Sequence, residues 1–215
     1  MSAPQVVLVD LGLGNIRSVA RALERAGASV TISGEGDVLR RASRLVVPGQ
    51  GAFRDCAAAL AGERGDVLRD RIAAGVPYLG ICLGMQALFQ RSEEAPGAAG
   101  LGVFAGEVVR FAPGLVDAET GARLKVPHIG WNEVRGAHPL VPDRAWFYFV
   151  HSFHCVPTDT SLVVGTAEYG GDFCAAVARD NVFACQFHPE KSQDEGAALL
   201  GRFLAGSRWE AGRWS

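Results

Sequence analysis

Residues 80–86 read Gly-Ile-Cys-Leu-Gly-Met-Gln and follow the apolar run of residues 76–79. A nucleophile held on a sharp turn between a strand and a helix needs small residues two positions before and after it, because the backbone bends tightly there. Gly80 and Gly84 occupy those positions around Cys82, and the apolar residues that follow continue at helical spacing. The N-terminus of such a helix points backbone N–H groups at the sulfur, which favours a thiolate. The stretch alone fits an exposed nucleophile and a buried structural cysteine about equally well.

The composition is that of a globular chain with no electrostatic preference for polyanions. Hydrophobic residues make up 48% of the 215 residues and charged residues 20%, which favours one α/β domain with an ample core. The net charge of −2 and the scattered basic residues give no reason to expect nucleic acid or an anionic membrane. The sequence has no apolar stretch of bilayer length, and its start lacks the charged segment of a secretory signal. We expect a cytoplasmic protein.

Cysteine and histidine spacing does not indicate a disulfide framework or a metal site. The five cysteines include no C-x-x-C pair, and their odd number prevents complete internal pairing. The histidines are dispersed, and no cysteine spacing completes a zinc set. Residues 12–14 read Gly-Leu-Gly, but Arg17 stands where a dinucleotide-binding motif needs its third glycine. We therefore expect no metal and no cofactor.

Strand-like and helical patterns alternate in the first half of the chain, which indicates βαβ units around a parallel sheet. Strands are predicted at residues 5–10, 28–32, 45–47 and 76–81, and helices at 16–27, 37–41, 52–60 and 66–74. After Ser92 strands follow one another without helices, which is typical of antiparallel pairs. They are predicted at residues 106–111, 124–126, 145–150, 162–167, 173–178 and 182–186, before a closing helix at 193–205.

The predicted fold is therefore an open, mostly parallel α/β sheet flanked by helices, with additional antiparallel strands in the C-terminal half. We find no repeat, linker or low-complexity segment in the sequence. One domain is expected over residues 1–206, with a short tail over residues 207–215.

The sequence Phe-His-Pro-Glu at residues 187–190 follows the last predicted strand. In an extended chain His188 and Glu190 project to the same side, and Pro189 fixes the backbone between them. A cysteine nucleophile needs a base, and the base needs a third group that sets its tautomer. Taken alone, such a segment is more often a histidine at the end of a strand beside a solvent-exposed glutamate than part of a catalytic site. In combination with Cys82 on its turn, the segment predicts a Cys–His–Glu triad.

Acyl transfer through a thioester also needs hydrogen-bond donors for the oxyanion. The backbone N–H of Leu83 is one candidate, because this residue follows the nucleophile. A second donor is expected from residues 48–51, Pro-Gly-Gln-Gly, which follow the third predicted strand and reach the same edge of the sheet. Their glycines allow close approach to a ligand and a flip of a peptide plane. Taken alone, this loop reads as an ordinary Gly-Pro turn.

Residues 80–86 and 187–190 resemble the two signatures of the class I, triad-type glutamine amidotransferases. Three further pieces are similar to the glutaminase subunits of imidazole glycerol phosphate synthase: residues 127–132 (Pro-His-Ile-Gly-Trp-Asn), residues 148–153 (Tyr-Phe-Val-His-Ser-Phe), and Lys191-Ser192. The turns at residues 10–15 and 48–53 are also similar to those of these glutaminase subunits. The resemblance spans residues 10–192 and implies a class I glutamine amidotransferase-like (flavodoxin-like) fold.

The resemblance implies hydrolysis of L-glutamine to glutamate and ammonia, with no cofactor. It also implies a heterodimer with a (β/α)8-barrel cyclase, which uses the ammonia to make imidazole glycerol phosphate and aminoimidazole carboxamide ribonucleotide in histidine biosynthesis. Cys82 would attack the amide, His188 would shuttle the proton and Glu190 would orient His188. The other implied residues are Leu83, Gln50 and Gly51 for the oxyanion, Gly51, Gln86, Ser152 and Phe153 for glutamine, and Asn15, Trp131, Tyr148 and Lys191 for the partner interface.

Two positions depart from the family pattern, Gln50 where valine is frequent and Phe153 where tyrosine is frequent. Both changes are tolerable if backbone groups do the binding, although Gln50 can alter how readily its loop flips. Three alternatives remain: another class I glutaminase, serving anthranilate or guanine nucleotide synthesis; a regulatory binding module on the same fold; and a thiol peptidase. Met85, the Gly-Trp-Asn segment and Lys191 argue against the first alternative, and the complete triad argues against the second.

Overall fold

A computed structural model of the chain describes residues 3–117, 119–136 and 138–206. Strands and helices alternate as far as the Cys82 turn, because short runs of β-branched and aliphatic residues are separated by segments with helical periodicity. The elements are β1 Gln5–Val9, α1 Ile16–Arg25, β2 Ser29–Ser33, α2 Gly36–Arg40, β3 Leu45–Gly49, α3 Phe53–Ala59, α4 Glu63–Ala73, β4 Tyr78–Cys82 and α5 Leu83–Gln86.

Beyond α5, strands dominate up to the last helix. The remaining elements are β5 Arg91–Ser92, β6 Gly106–Arg110, β7 His128–Gly136, β8 Ala145–His151, β9 Phe153–Pro157, β10 Val163–Glu168, β11 Asp172–Arg179, β12 Val182–Cys185 and α6 Gln193–Ala205, with short 3₁₀ turns at Thr160–Leu162 and Pro189–Lys191. The predicted closing helix is confirmed, and β7 and β9 are strands that the sequence patterns did not single out.

The described strands form one sheet, whose main path runs β2-β1-β3-β4-β12-β11-β10-β7-β8. Strands β2, β1, β3, β4 and β12 are parallel, whereas β11, β10, β7 and β8 continue the path in antiparallel pairs. Strand β9 pairs with β11 and β6, and β6 pairs with β5. The predicted α/β sheet, parallel in its N-terminal half with antiparallel strands added later, is confirmed.

Apolar side chains cover both faces of the central parallel strands β1, β3, β4 and β12, as such sheets require. Alternate residues of β1 enter different cores: Val6 and Leu8 pack in one, and Val7 and Val9 in the other. The first core also takes the buried side chains of α1 and α6, and the second those of α2, α3 and α4. Helices therefore flank the sheet on both sides. In the part of the chain that the structure describes, no helix combines the length and apolar character needed to cross a membrane.

The strand predicted at residues 124–126 is wrong. This segment belongs to a loop whose backbone pairs locally, with Leu124 N–H donating to Leu115 O and a single bridge between Val116 and Arg123. A proline follows the segment directly and cannot donate to a ladder, so no neighbouring strand extends the pairing. The tail predicted at residues 207–215 lies outside the described residues, and the single domain over residues 1–206 stays a prediction.

Candidate functional site

The turn at Cys82 has a backbone conformation that explains its two glycines. Cys82 ends β4 with φ of 54° and ψ of −107°, a left-handed φ that is uncommon for a residue with a side chain. A Cβ at Gly80 would lie 2.7 Å from Gly84 O, and one at Gly84 only 1.8 Å from Val47 O. No larger residue fits at position 84. The strand-to-turn arrangement predicted from residues 80–86 is therefore present.

The helix after Cys82 is much shorter than the sequence predicts. α5 is a single turn, because the carbonyls of Ala87, Leu88 and Phe89 accept hydrogen bonds from the later loop at residues 101–104 instead of continuing a helical ladder. A full helix dipole aimed at the sulfur was therefore a wrong expectation, since the effect needs several aligned peptide units. The sulfur instead accepts a side-chain hydrogen bond from Gln186 Nε2 at 3.4 Å.

His188 and Glu190 form a buried pair beside the Cys82 turn. His188 Nδ1 lies 2.7 Å from Glu190 Oε1, and each side chain is only 2% exposed. The backbone at Pro189–Lys191 is a 3₁₀ turn, so the extended chain assumed from the sequence is wrong, although the two side chains do meet. The turn forms because Lys191 N–H donates to His188 O and Ser192 Oγ donates to the same carbonyl.

The electrostatics of His188 suit a proton acceptor. Burial disfavours the imidazolium, but the interactions of His188 with Cys82 and with the carboxylate of Glu190 outweigh that cost and raise the pKa of His188 to about 9. His188 Nε2 and Glu190 Oε2 are buried and have no hydrogen-bond partner among the residues that the structure describes. Glu190 fixes Nδ1 as the donor, which leaves Nε2 to exchange a proton with the sulfur.

A cavity of about 300 Å³ opens at Cys82, at the carboxyl ends of β3 and β4. This is the edge at which open α/β sheets bind ligands. Eight of the predicted site residues line it: Gln50, Gly51, Cys82, Leu83, Gln86, Ser152, Phe153 and Lys191. The triad partners lie on the other side of the turn, where His188, Glu190, Asn15 and Gln50 line a second, much smaller cavity. Gln50 is thus shared by the two cavities.

The loop after β3 packs against the Cys82 turn with little room to spare. A Cβ at Gly49 would lie 2.7 Å from Leu83 Cβ, so the backbones of the two candidate oxyanion segments are close. Gly51 has φ of +110°, and a Cβ there would meet open space. Glycine populates positive and negative φ about equally well, so Gly51 is the residue type that best allows a change of backbone conformation in this loop.

The four residues assigned to a partner lie near the site but not all within it. Asn15 caps α1 through Ser18 N–H and lines the smaller cavity. Trp131 and Tyr148 are paired across β7 and β8, with their rings 6.2 Å apart in an edge arrangement. Lys191 Nζ lies 5.9 Å from the Tyr148 ring centroid, which links this aromatic pair to the main cavity.

Three polar residues at the site have no role in the sequence-based prediction: Glu94, Gln186 and His151, which also lines the main cavity. Glu94 lines the main cavity and accepts a hydrogen bond from Phe53 N–H at 2.7 Å. It lies in an irregular segment next to a second glutamate, and no pattern separates the two. Gln186 is fully buried beside the Cys82 sulfur. The sequence does carry a signal for Gln186, because this polar residue interrupts the apolar run of residues 182–187.

The other four cysteines, Cys56, Cys155, Cys174 and Cys185, are in the apolar cores. All are buried and unpaired. Burial, assisted by the interaction with Cys82, raises the pKa of Cys56 to about 12, and burial raises that of Cys174 to about 12 as well. Burial also holds the pKa values of Cys155 and Cys185 well above the ordinary value. These thiols remain protonated at neutral pH and are poor nucleophiles.

Two buried histidines support the segment that carries Ser152 and Phe153. His151 Nδ1 lies 2.8 Å from Phe153 O, and because a carbonyl only accepts, Nδ1 carries the hydrogen. His151 Nε2 then accepts from His128 Nδ1 at 3.2 Å, and His128 Nε2 accepts from Asn132 Nδ2 at 3.4 Å. Burial lowers the pKa of His128 to about 4 and that of His151 to about 3, so both rings are neutral at physiological pH.

This neutral pair predicts a loss of stability in acid. His151 stays unprotonated in the folded chain down to about pH 3, whereas in the unfolded chain it takes up a proton below about 6.5. Lowering the pH from 7 to 5 therefore favours unfolding by roughly 2 kcal/mol for this residue. Urea unfolding at the two pH values measures the drop. In His151→Asn, which retains a donor for Phe153 O, the drop should be smaller by roughly that amount; an identical drop would contradict this account.

Comparisons with known proteins agree with the geometry. The family model "Glutamine amidotransferase class-I" matches residues 7–206. The chain is 49% identical to "Imidazole glycerol phosphate synthase subunit HisH" of Methylococcus capsulatus, over 98% of each protein. It is 48% identical to "Imidazole glycerol phosphate synthase subunit HisH 1" of Pseudomonas aeruginosa, over 97% of this chain and 98% of that protein. A solved structure, "Crystal structure of glutamine amidotransferase", superposes with a TM-score of 0.72 at 23% identity, covering 93% of this chain and 97% of the other.

Proposed function

Since the chain belongs to the class-I glutamine amidotransferase family, we propose that it is the glutaminase subunit of an imidazole glycerol phosphate synthase. It hydrolyses L-glutamine to glutamate and ammonia and passes the ammonia to a cyclase subunit. The observation that supports this most is the Cys82 turn: its backbone has a left-handed φ, the candidate oxyanion segments line the main cavity on one side of it, and the buried His188–Glu190 pair lies on the other side. The five unpaired cysteines fit the reducing cytoplasm in which we place this reaction.

The geometry supports a double-displacement mechanism through a thioester. The Cys82 thiol gives its proton to His188 Nε2, and the sulfur forms a bond to the amide carbon of glutamine. Backbone N–H groups of Leu83 and of the loop at Gln50 and Gly51 stabilise the oxyanion. The carbon–nitrogen bond then breaks, and His188 returns the proton to the departing nitrogen, which leaves as ammonia. In the second half His188 takes a proton from water, whose oxygen attacks the thioester and releases glutamate and the Cys82 sulfur.

Glu190 acts on this chemistry through His188. Its Oε1 holds Nδ1–H of His188, which fixes the tautomer and stabilises the imidazolium formed when the thiol loses its proton. Gln86, Ser152 and Phe153 line the cavity beyond the sulfur and are assigned to glutamine binding. Phe153 contributes a backbone carbonyl that organises its neighbours. The change from tyrosine at this position is therefore expected to matter little.

Glu94 is assigned to the α-ammonium group of glutamine, because it is the acidic side chain among the cavity-lining residues. Glu94→Gln keeps the acceptor for Phe53 N–H but removes the negative charge. We expect KM for glutamine to rise about tenfold with kcat changed less than about twofold, because a distant ammonium contributes uniform binding. Steady-state kinetics of the assembled synthase measures both. Glu93→Gln, an exposed neighbour outside the cavity, is the control. A fall in kcat alone would contradict the assignment.

The partner surface proposed here is the outer face of the β7–β8 hairpin together with the Asn15 turn. Ile129, Trp131 and Trp146 are large apolar side chains that are 43 to 59% exposed on this hairpin. Exposed aromatic residues of this kind are typical anchors of protein interfaces. The Trp131–Tyr148–Lys191 contacts lead from this face to the main cavity. A docked cyclase would thus touch residues that adjoin the glutamine site.

Ammonia released without an acceptor would be lost to solvent, so hydrolysis should depend on the partner. Gly51 has φ of +110° and lacks a Cβ that would restrict its backbone, and we propose that the oxyanion site is completed only when the acceptor-loaded cyclase docks. The isolated chain should hydrolyse glutamine at least about tenfold more slowly than the complex with cyclase and its nucleotide substrate. A coupled assay that follows glutamate measures both rates. Full glutaminase activity of the isolated chain would exclude the gate.

A further inference from the structure

Gln186 lies directly beside Cys82 because of strand register. Strand β12 pairs in parallel with β4, and Cys185 is the register partner of Ile81. The next residue of each chain segment, Gln186 and Cys82, therefore comes side by side at the end of the sheet. Gln186 is fully buried, and its backbone N–H donates to Ala175 O at 2.8 Å. Its side chain is thus held at a fixed distance from the sulfur.

The orientation of the Gln186 amide follows from hydrogen-bond complementarity. Phe153 O can only accept, so the atom of Gln86 that faces it at 3.2 Å must be the amide nitrogen. The same nitrogen lies 3.1 Å from the Gln186 side chain, which must present its oxygen, Oε1, in return. The other end of the Gln186 amide is then the nitrogen, and it faces Cys82 Sγ at 3.4 Å. The carbonyl of Phe153 therefore determines that the Gln186 amide presents its N–H group, a hydrogen-bond donor, to the Cys82 sulfur.

We propose that Gln186 is a further catalytic residue of the glutaminase reaction, whose side-chain amide donates to the sulfur of Cys82 whenever that sulfur is negative. The inference rests on the proposed function. The sulfur is an anion twice in the cycle, before it attacks the amide and when the thioester collapses to glutamate. With α5 reduced to one turn, a side-chain donor takes the place of the helix dipole expected there. Gln86, which holds Oε1 of Gln186, is a positioning residue in addition to lining the cavity.

The test uses two variants of Gln186 that remove different hydrogen bonds of its side chain. Gln186→Glu keeps the shape and the acceptor for Gln86 but replaces the donor on the sulfur with a carboxylate oxygen. Gln186→Met is a neutral variant of similar length that removes both hydrogen bonds. Hydrogen bonds to charged groups are strong enough that losing one should lower kcat about 10- to 100-fold. Gln5→Glu, at an exposed position of β1, adds the same charge far from the site and is the control.

Two readouts separate a donor on the sulfur from a purely structural role. In the assembled synthase, Gln186→Glu should lower kcat with KM changed less than about twofold, because Gln186 does not line the cavity and Gln86 keeps its partner. Gln186→Met should lower kcat and also raise KM. In the isolated chain, iodoacetamide should alkylate Cys82 about tenfold more slowly in either variant than in the parent at pH 7.5, with unchanged thermal unfolding confirming the fold.

The proposal is overturned if both variants keep kcat and the alkylation rate of Cys82 within about twofold of the parent. If Gln186→Glu does not fold, Gln186→Met carries the same alkylation test without a buried charge. Alkylation needs no glutamine and no partner. If the parent complex proves inactive on glutamine while alkylation of Cys82 still slows in the variants, the proposed function fails and only the hydrogen bond from Gln186 to the sulfur stands. The reverse result, an active parent and unaffected variants, removes only the role of Gln186.

Discussion

Cys82→Ser should lower glutamine-dependent product formation by the assembled synthase at least about 10³-fold, because a hydroxyl is a far weaker nucleophile than a thiolate. Ammonium salts supplied in the medium should still drive the cyclase at the parent rate, since that reaction bypasses the glutaminase. Product formation from glutamine and from ammonium, followed in parallel on the same complex, measures both effects. The separation of the two activities is what assigns the loss to Cys82 chemistry.

The matched control is Cys174→Ser. Cys174 is buried, and its Sγ donates to Ala176 O at 3.8 Å, a hydrogen bond that a serine hydroxyl can also make. Its raised pKa keeps the thiol protonated at neutral pH, so it has no nucleophilic role. Glutamine-dependent activity should stay within about threefold of the parent. If Cys82→Ser retained its glutamine-dependent rate, the thioester mechanism would be wrong.

Gly84→Ala should destabilise the fold by about 3 kcal/mol or more, because its Cβ would lie 1.8 Å from Val47 O and the backbone of β3 would have to move. The same displacement would separate Leu83 from the loop after β3, so activity should fall with stability. Urea unfolding of the isolated chain gives the free energy, and the assembled synthase gives the rate. The effect is expected to be among the largest of any single-methyl addition in the chain.

Gly201→Ala provides the comparison for this prediction. Gly201 lies within α6, where an added Cβ meets nothing within 4 Å. An alanine there should raise the free energy of unfolding by about 0.5 to 1 kcal/mol, because glycine is the poorer helix former. Both variants add one methyl group to a glycine without positive φ. Equal effects of the two substitutions would show that close approach at Gly84 is not what the turn requires.

The central strands of the parallel half were predictable because they are buried on both faces and read as apolar runs. The sequences of β1, β3 and β4 show this pattern, and a cysteine flanked by glycines marks where β4 ends. The strands of the antiparallel half were harder to predict from the sequence. β7 carries exposed Ile129 and Trp131 among small and polar residues, so its pattern is that of a loop as much as a strand. Pairing with β8 and β10 decides its conformation, and such pairing is a tertiary property.

The candidate site shows the same division between local and long-range information. Cys82 with its glycines, and His188 with Glu190, are local patterns that the sequence carries in full. Glu94 reaches the cavity only through the path of an irregular segment after α5. The position of Gln186 beside the sulfur depends on the register of β12 with β4. The orientation of its amide depends on the carbonyl of Phe153, which lies in a third segment. No spacing rule within one segment encodes such a contact.

The most direct test of the proposed function is the source of the nitrogen in the cyclase product. The complete synthase would be supplied with L-glutamine labelled with ¹⁵N at the side-chain amide, in a medium that contains unlabelled ammonium at comparable concentration. Mass spectrometry of the imidazole product would then report which nitrogen was used. The proposed transfer of ammonia from the Cys82 site predicts that most product molecules carry ¹⁵N. Product that contains only unlabelled nitrogen, with labelled glutamine unconsumed, would contradict it.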